Sequence, residues 1–469
     1  MGRVIYAEKH FRTYLISLAK PDGYAIGLIL GQRSEQKDYI VHLAKTLPSL
    51  NVRHIEEESH LVSSPTPAEQ DAADKGRYIT SLKDLPTNWV ADHAKQVTRM
   101  LPGGMWVLGI FVVGPEDVFD NVATVENLEL TLAAICNTMS RNKYLYGDNQ
   151  DEKLILSFNS ITQKHVCKSV NVAETNKFLK PANWRFREKA TTWYQLEALV
   201  DLDRLYLIAA ADDFDALRRQ LYRILTDVEI LIDSSLVVIE GEVYSPDDSL
   251  KRLVNKKKND KECKSKANDG DNSLQVSLYI PCSQDKNKKA NNVEWINQSE
   301  CSGLIRLIGQ LVSRTFVHEE ASIAEANKAV KEDIVRSLAS RLELHWASLI
   351  QEENGSPEEN ITLHEPPRRV LIALPENKIT LSDYLFPGEG PQEALLSLQE
   401  LLDLEVQESQ VQKEIELQAE FYCQNDVNTK QFDNNATTSS KQELAVYLTR
   451  LSVTIIILLI AVFVHQFVT

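Results

Sequence analysis

The sequence contains none of the short motifs that identify common hydrolases and cofactor-dependent enzymes. The phosphate-binding pattern G-x-x-x-x-G-K-[ST], the dinucleotide pattern G-x-G-x-x-G, the nucleophile pattern G-x-S-x-G and the zinc pattern H-E-x-x-H are all missing. The 10 histidines are dispersed, and only His54 and His60 lie close together, within an acidic stretch. A solvated loop is the stronger interpretation of that stretch and a metal site the weaker one. We therefore expect no cofactor and no catalytic metal.

Cysteine is scarce and is not spaced for metal binding. No two of the 6 cysteines form a C-x-x-C pair, so neither a zinc ribbon nor a redox motif is indicated. In a reducing compartment we expect these cysteines to be free thiols.

Positive charge is also limited, since 51 basic residues stand against 67 acidic ones and the formal net charge is −16. This balance argues against nucleic acid as a partner, because nucleic-acid binding depends on contacts between basic side chains and phosphates. Residues 251–266 are a basic exception within a polar stretch, 245–272. They fit either a disordered, solvated loop or, less well, a nuclear import signal.

Long apolar runs are absent except at Leu451–Val468. About 20 apolar residues cross a bilayer, so we expect residues 447–468 to form a single transmembrane helix; a buried core helix and an amphipathic surface helix are the weaker alternatives. Arg450 lies before the run and no basic residue follows it, which predicts a cytosolic N-terminal part. We therefore expect a tail-anchored protein of the endoplasmic reticulum. The apolar anchor residues are Leu451, Ile455, Ile456, Ile457, Leu458, Leu459, Ile460, Val462, Phe463 and Val464.

Before the anchor, apolar runs alternate with helical periodicities and predict an α/β (α+β) fold class. Met105–Val113 is the most apolar strand of this part, and Ala25–Gln32 is a second one. The predicted domains are 1–150 with a mobile loop 47–84, a mixed α/β domain 151–390 with the basic loop 245–272, an acidic Leu-rich helical segment 391–423, a polar tether 424–446 and the anchor 447–468.

The order of helix, G-L-I-L-G strand, helix and P-G-G-M-W-V-L-G-I-F-V-V-G-P resembles the MPN (JAMM) domain of isopeptidases and their inactive relatives. Active members of that family hold zinc with two histidines and an aspartate and carry a catalytic serine. The resemblance puts the histidine positions at Val112 and Gly114, and the serine and aspartate positions at Val122 and Val125. It therefore implies a catalytically dead domain that docks partners. The candidate core of this docking domain is Leu28, Leu30, Val107, Leu108, Ile110 and Phe111.

At the scale of the whole chain, the sequence resembles the odorant response abnormal protein four (Odr-four) family. The resemblance is carried by M-G-R-V-I-Y-A-E, W-V-A-D-H-A-K-Q-V-T-R-M-L-P-G-G, P-A-N-W-R-F, R-R-V-L-I-A-L-P and the C-terminal apolar run. The H-A-x-Q-V-x-R-M-L-P-G-G segment is the most specific of these. The family implies an endomembrane protein without catalytic residues, which assists trafficking of a subset of G-protein-coupled receptors and holds the cysteine protease of the ubiquitin-fold modifier at the endoplasmic reticulum.

These features favour a non-enzymatic, tail-anchored adaptor. Its expected partners are the modifier protease, receptor clients and the lipid bilayer. The alternative is a membrane-tethered hydrolase with an unrecognised active site.

Overall fold

The structure, a computed structural model, describes most of the chain up to Glu416. It describes residues 2–20, 23–47, 79, 81–82, 85–146, 151–174, 178–209, 214–262, 273–281, 301–351, 363–364, 366–377 and 379–416. These residues belong to one compact unit. No helix among them is both long and apolar enough to cross a membrane. The predicted tether and anchor, and most of the predicted loop 47–84, lie outside the described residues.

The first seven strands that the structure describes form a closed barrel. They are β1 (Val4–Glu8), β2 (Ala25–Arg33), β3 (Lys37–Lys45), β4 (Trp106–Gly114), β5 (Glu152–Asn159), β6 (His165–Asn171) and β7 (Lys180–Arg187). Around the barrel the order is β1, β3, β2, β4, β5, β6, β7, and a parallel pairing of β7 with β1 completes it. Strands β2 and β4 are continuous apolar runs because protein covers both of their faces.

Alternate residues of the barrel strands line two different cores. The barrel interior receives side chains from all seven strands, and helix α1 (Lys9–Ser17) adds Phe11 and Leu15 to it. The pairing of β2 with β4 skips one residue at Leu108, and this bulge changes the phase of the alternation. Consequently Leu108 and Phe111 belong to the interior, whereas the other four predicted core residues, Leu28, Leu30, Val107 and Ile110, belong to an outer core.

Helices and a small sheet cover the outer core. They are α2 (Thr87–Met100), a 3-10 helix (Val118–Asp120), α3 (Val122–Ser140), α8 (Pro391–Leu402) and the sheet β14 (Thr380–Leu385), β13 (Arg368–Ala373), β15 (Val411–Gln412). The short helix α4 (Lys143–Tyr146) places Tyr144 in the core of the five-stranded sheet instead, and a second 3-10 helix (Glu408–Gln410) precedes β15. Asn121 starts α3, since its side chain accepts from the backbone N–H groups of Ala123 and Thr124.

A five-stranded sheet and three helices form the other part of the unit. The strand order is β12 (Leu363–His364), β11 (Cys301–His318), β8 (Trp193–Ala209), β10 (Ser273–Tyr279), β9 (Leu236–Ile239). The helices are α5 (Phe214–Asp233), α6 (Leu250–Glu262) and α7 (Ile323–Gln351). Helix α7 packs Ala326, Val330, Ile334 and Leu338 on this sheet, because residues four apart share one helix face.

The mixed α/β class is confirmed, and three local expectations differ from the structure. The barrel strands β5 to β7 follow residue 150, so the barrel spans the predicted domain boundary. Helix α6 occupies the first part of the predicted basic loop 245–272, because Leu250, Leu253 and Val254 share a face that is buried in the sheet core. The predicted helical segment 391–423 is helical only to Leu402, after which β15 joins the small sheet.

Candidate functional site

A groove of about 430 Å³ beside helix α1 is the candidate functional site. We call it the α1 groove. It is lined by His10, Phe11, Thr13, Tyr14, Ser17, Val41, His42, Leu374, Pro375, Glu376, Asn377, Leu402, Asp403 and Leu404. These residues come from α1, from β3, from the turn between β13 and β14, and from the end of α8. Most of the lining surface is apolar, which is typical of sites that bind apolar side chains.

Two histidines hold the C-terminal end of α8 at the groove. Nε2 of His42 donates to the carbonyl oxygen of Leu402 (3.4 Å), and Nε2 of His93 donates to that of Leu401 (2.7 Å). On its other side, His93 accepts at Nδ1 from the hydroxyl of Thr46 (2.8 Å). The last carbonyl groups of a helix have no partner within the helix, so these bonds satisfy them and position the groove wall.

Burial favours the neutral form of both histidines. Burial lowers the pKa of His42 to about 4, against the smaller opposite effect of its bond to the Leu402 carbonyl. Burial also lowers the pKa of His93. At the rim, by contrast, the exposed carboxylates of Glu376 and Asp403 supply negative charge. Neutral apolar walls with an acidic rim are complementary to an apolar segment flanked by basic residues.

Two hydroxyl groups near the groove, those of Ser17 and Thr46, bond to neighbouring groups of the fold. Ser17 Oγ donates to the carbonyl of Tyr14 in its own helix (2.7 Å). The pair formed by the Thr46 hydroxyl and the His93 imidazole is buried. The two residues are 6% and 8% exposed, so a substrate cannot reach the pair. Among the described residues, no three His, Cys, Asp or Glu side chains lie close enough together to hold a metal ion. The groove can therefore bind apolar groups, and its geometry assigns no nucleophile.

The four positions aligned with the MPN zinc site lie in different environments. Val112 is fully buried in the outer core, whereas Val122 is 73% exposed at the start of α3. Val125 is partly buried on the same helix. A side chain at Gly114 would collide with the ring of Tyr24, because a Cβ atom there would lie 2.2 Å from Cδ1. None of these positions offers a ligand, and the MPN resemblance itself stays a prediction.

The predicted docking-domain core is a core and not a contact surface. All six of its residues are buried: Leu28, Leu30, Val107, Leu108, Ile110 and Phe111. They can affect a partner only through the fold that they support. The predicted anchor residues lie outside the described residues.

A buried ion network joins the turn after α2 to α7 and β13, and the sequence analysis did not predict it. The carboxylate of Asp333 accepts from the Nη1 and Nη2 atoms of Arg369 (2.6 and 2.9 Å) and from the backbone N–H of Gly103 (2.9 Å). A Cβ atom at Gly103 would lie 2.0 Å from the carbonyl oxygen of Ala329. Glycine at this position therefore allows close approach of the turn to α7.

Three further residues, Arg336, Arg341 and Glu416, extend this network. Arg336 is 2% exposed, and its Nη1 donates to the carbonyl groups of Leu101, Pro102 and Met105 while its guanidinium lies 4.0 Å from the centre of the Trp106 ring. At the other end, Glu416 accepts from Arg341 Nη2 (2.6 Å) and from the backbone N–H groups of Val312 and Arg369 (3.0 Å each). The P-G-G segment that carried the family resemblance thus serves the packing of α7 against the barrel.

Comparison with known proteins places the chain in a family. Residues 27–413 match the family model described as ODR4-like: Odorant response abnormal 4-like. A Mus musculus protein, Protein odr-4 homolog, is 28% identical over 87% of this chain and 84% of its own length. The Drosophila melanogaster Protein odr-4 homolog is 23% identical over 99% of both chains. Odorant response abnormal protein 4 of Caenorhabditis elegans is 24% identical over 69% of this chain and 65% of its own length.

Among solved structures, the crystal structure of UfSP from C. elegans covers 86% of this chain with 8% identity and a TM-score of 0.40, and 57% of that structure's chain is covered. That similarity is too low to assign the fold. The family match, by contrast, includes the barrel from within β2 onward, the described helices α2 to α8, and the residues of the ion network except Glu416. Because the matched residues make up most of the sequence, this chain belongs to the ODR4-like family.

Proposed function

We propose that this chain is a non-enzymatic adaptor of the endoplasmic reticulum and endomembrane system. It assists the localisation of a subset of G-protein-coupled receptors and recruits the cysteine protease of the ubiquitin-fold modifier. Membership of the ODR4-like family carries the proposal, since the relatives bear the names odr-4 homolog and odorant response abnormal protein 4. An adaptor of this kind needs exposed binding surfaces on a rigid body and a means of staying at the membrane.

The membrane attachment in this proposal is the apolar segment 447–468. Its support is the sequence: the run Leu451–Val468 contains no Asp, Glu, Lys or Arg. With the residues just before it, the run reaches the length of about 20 residues that a bilayer requires. Arg450 precedes the run and the run itself holds no Lys or Arg, a distribution that favours the cytosolic side for the unit up to Glu416.

The α1 groove is the proposed docking site for the modifier protease. Its walls are apolar and neutral, and its rim carries the carboxylates of Glu376 and Asp403. We infer that the protease inserts an apolar segment flanked by basic residues. Such an arrangement gives affinity through apolar burial and orientation through the rim charges.

Substitutions on the exposed side of α1 test this assignment without disturbing a core. Thr13 and Ser17 are exposed, lie four residues apart on one helix face and line the groove. The double variant Thr13→Arg/Ser17→Arg places two long, charged side chains over the apolar walls. Glu126→Lys on α3 is the matched control, because it makes the same change of two positive charges at an exposed position outside the groove.

We expect the double variant to co-precipitate at least tenfold less modifier protease than the wild type, with an unchanged melting temperature. Glu126→Lys should behave as the wild type. Surface delivery of a co-expressed client receptor is measured in the same cells. Undiminished protease binding by the double variant would remove the groove from the proposal.

A further inference from the structure

The outer surface of strand β7 is basic, and the described part of the chain leaves it exposed. Successive residues of a strand point to opposite faces. On β7 the inward residues pack in the barrel interior: Ala182, Trp184 and Phe186. Asn183, Arg185 and Arg187 therefore point outward, and all three are exposed. Tyr6 of β1 lies beside Arg185 in the strand register, and Lys168 of β6 lies beside the start of β7. We call these five side chains the β7 face.

Neutral groups hold both arginines of this face. The guanidinium carbon of Arg187 lies 4.1 Å from the centre of the Tyr6 ring, a cation–π contact. The side-chain oxygen of Asn183, with its amide oriented to accept, lies 2.9 Å from Nη2 and 3.2 Å from Nε of Arg185. Within the described part of the chain neither arginine has a carboxylate partner, although Glu8 is opposite Arg187 in the register. The two guanidinium groups are thus positioned without being neutralised.

The third basic group of the face is held in the same way. Lys168 Nζ lies 4.1 Å from the centre of the Phe119 ring, and no described carboxylate pairs with it. By contrast, several exposed lysines elsewhere are paired with carboxylates: Lys9 with Glu188, Lys37 with Glu320, Lys143 with Glu229 and Lys251 with Glu319. The β7 face therefore presents three uncompensated positive charges on a chain with a formal net charge of −16.

The spacing and the local extent of this charge indicate the ligand. Arg185 and Arg187 are two residues apart on one strand face, so their backbones are about 7 Å apart, as are alternate residues of any extended segment. Guanidinium groups bind carboxylates through paired hydrogen bonds. At physiological ionic strength charges are screened over about 8 Å, so a short acidic segment on the β7 face would interact mainly with these cations. A membrane surface or a nucleic acid would also meet the rest of a strongly acidic chain.

We propose that the β7 face binds a short acidic segment of a partner protein, with carboxylates at alternate positions that pair with Arg185 and Arg187. None of the residues of this face lines the α1 groove. The proposal therefore stands independently of the docking site assigned to the modifier protease.

Fluorescence anisotropy with the full-length protein in mild detergent tests the ligand class. The probe is the fluorescein-labelled peptide Glu-Val-Glu-Val-Glu-Val with an amidated C-terminus, and the control peptide has Gln in place of each Glu. We expect the acidic peptide to bind at least tenfold more tightly than the control at about 0.15 M salt, and to lose this advantage at about 1 M salt. Equal affinity of the two peptides, or no binding of the acidic one, would overturn the proposal. Tighter binding of inositol trisphosphate, a soluble lipid headgroup, than of the acidic peptide would assign the face to phosphate groups and would also overturn it.

Variants of the face test the residues. Arg185→Gln/Arg187→Gln removes both charges, and we expect at least a tenfold loss of affinity for the acidic peptide at an unchanged melting temperature, because both side chains are exposed. Arg218→Gln/Arg223→Gln is the matched control, since it removes two charges of the same kind from exposed positions on α5. Asn183→Asp should also weaken binding, because it supplies a carboxylate for Arg185 from within the chain. Wild-type affinity in the first double variant or in Asn183→Asp, or an equal loss in the control, would contradict the assignment.

Discussion

Replacing Asp333 by Asn tests whether the buried ion network holds α7, β13 and the turn after α2 together. Asp333 and Arg369 are 1% and 3% exposed and lie 2.6 Å apart at their closest atoms. Asparagine has the same shape and retains one oxygen that can accept from the N–H of Gly103. The interaction that is lost is therefore the charge pairing with Arg369. Removing one partner of a buried ion pair costs about 3–5 kcal/mol, because the other charge stays buried without compensation.

A loss of this size is a large fraction of the roughly 5–15 kcal/mol that stabilises a typical domain. The assay is urea unfolding followed by tryptophan fluorescence, in which Trp106 reports on the network because its ring lies against Arg336. Glu229→Gln is the control, because it breaks the ion pair between Lys143 and Glu229. That pair is equally short, at 2.6 Å, but its Lys143 side chain is 51% exposed. An exposed pair is worth less than about 1 kcal/mol. The reasoning is refuted if Asp333→Asn loses no more stability than this control.

Three further outcomes follow from other parts of the chain. Deleting residues 447–469 should move the protein from the membrane pellet to the soluble fraction with its fold intact, and retention of the truncated chain after alkaline extraction would contradict the anchor. Leu108→Asp puts an unpaired carboxylate into the barrel interior at a cost of several kcal/mol, so circular dichroism should show unfolding, whereas Leu130→Asp, at a position 58% exposed, should fold normally. In the folded state the pKa of His42 is about 4, whereas its ordinary value is 6.5. The contribution of neutral His42 to folded-state stability is therefore complete above pH 6.5 and is lost as the pH falls toward 4. When the pH is lowered from 7 to 5, the free energy of unfolding should therefore fall by about 2 kcal/mol more in the wild type than in His42→Gln, whose amide still donates to Leu402. Urea midpoints that change equally with pH in both proteins would refute this.

The parts of the fold that were predictable from sequence are those with strong local patterns. The apolar runs of β2 and β4 gave two barrel strands within one or two residues of their observed bounds. By contrast, β7 was missed because only Trp184 of its eight residues is buried, so the strand has no apolar run. Helix α6 was predicted to be a loop because its basic residues outnumber the three apolar residues that pack it into the sheet core.

The candidate site was less accessible to sequence reasoning because chain-distant residues build it. His42 and Leu402 are joined by a hydrogen bond at the α1 groove, although they lie 360 positions apart in the sequence. Asp333 and Arg336 look like ordinary solvated residues of a long helix, and their partners at the turn after α2 lie 230 or more positions away. The one available signal was the P-G-G turn, whose second residue has no room for a side chain. The structure shows that α7 occupies the space beside that glycine, and the sequence does not indicate which element lies there.

The most direct test of the adaptor is the location of the modifier protease in cells that contain the full-length chain, the chain without residues 447–469, or neither. Membrane and soluble fractions are separated, and the protease is quantified in each. The account predicts that the protease sediments with membranes only when the full-length chain is present, and that the truncated chain binds the protease but leaves it soluble. The same distribution of the protease in all three cells would contradict the account.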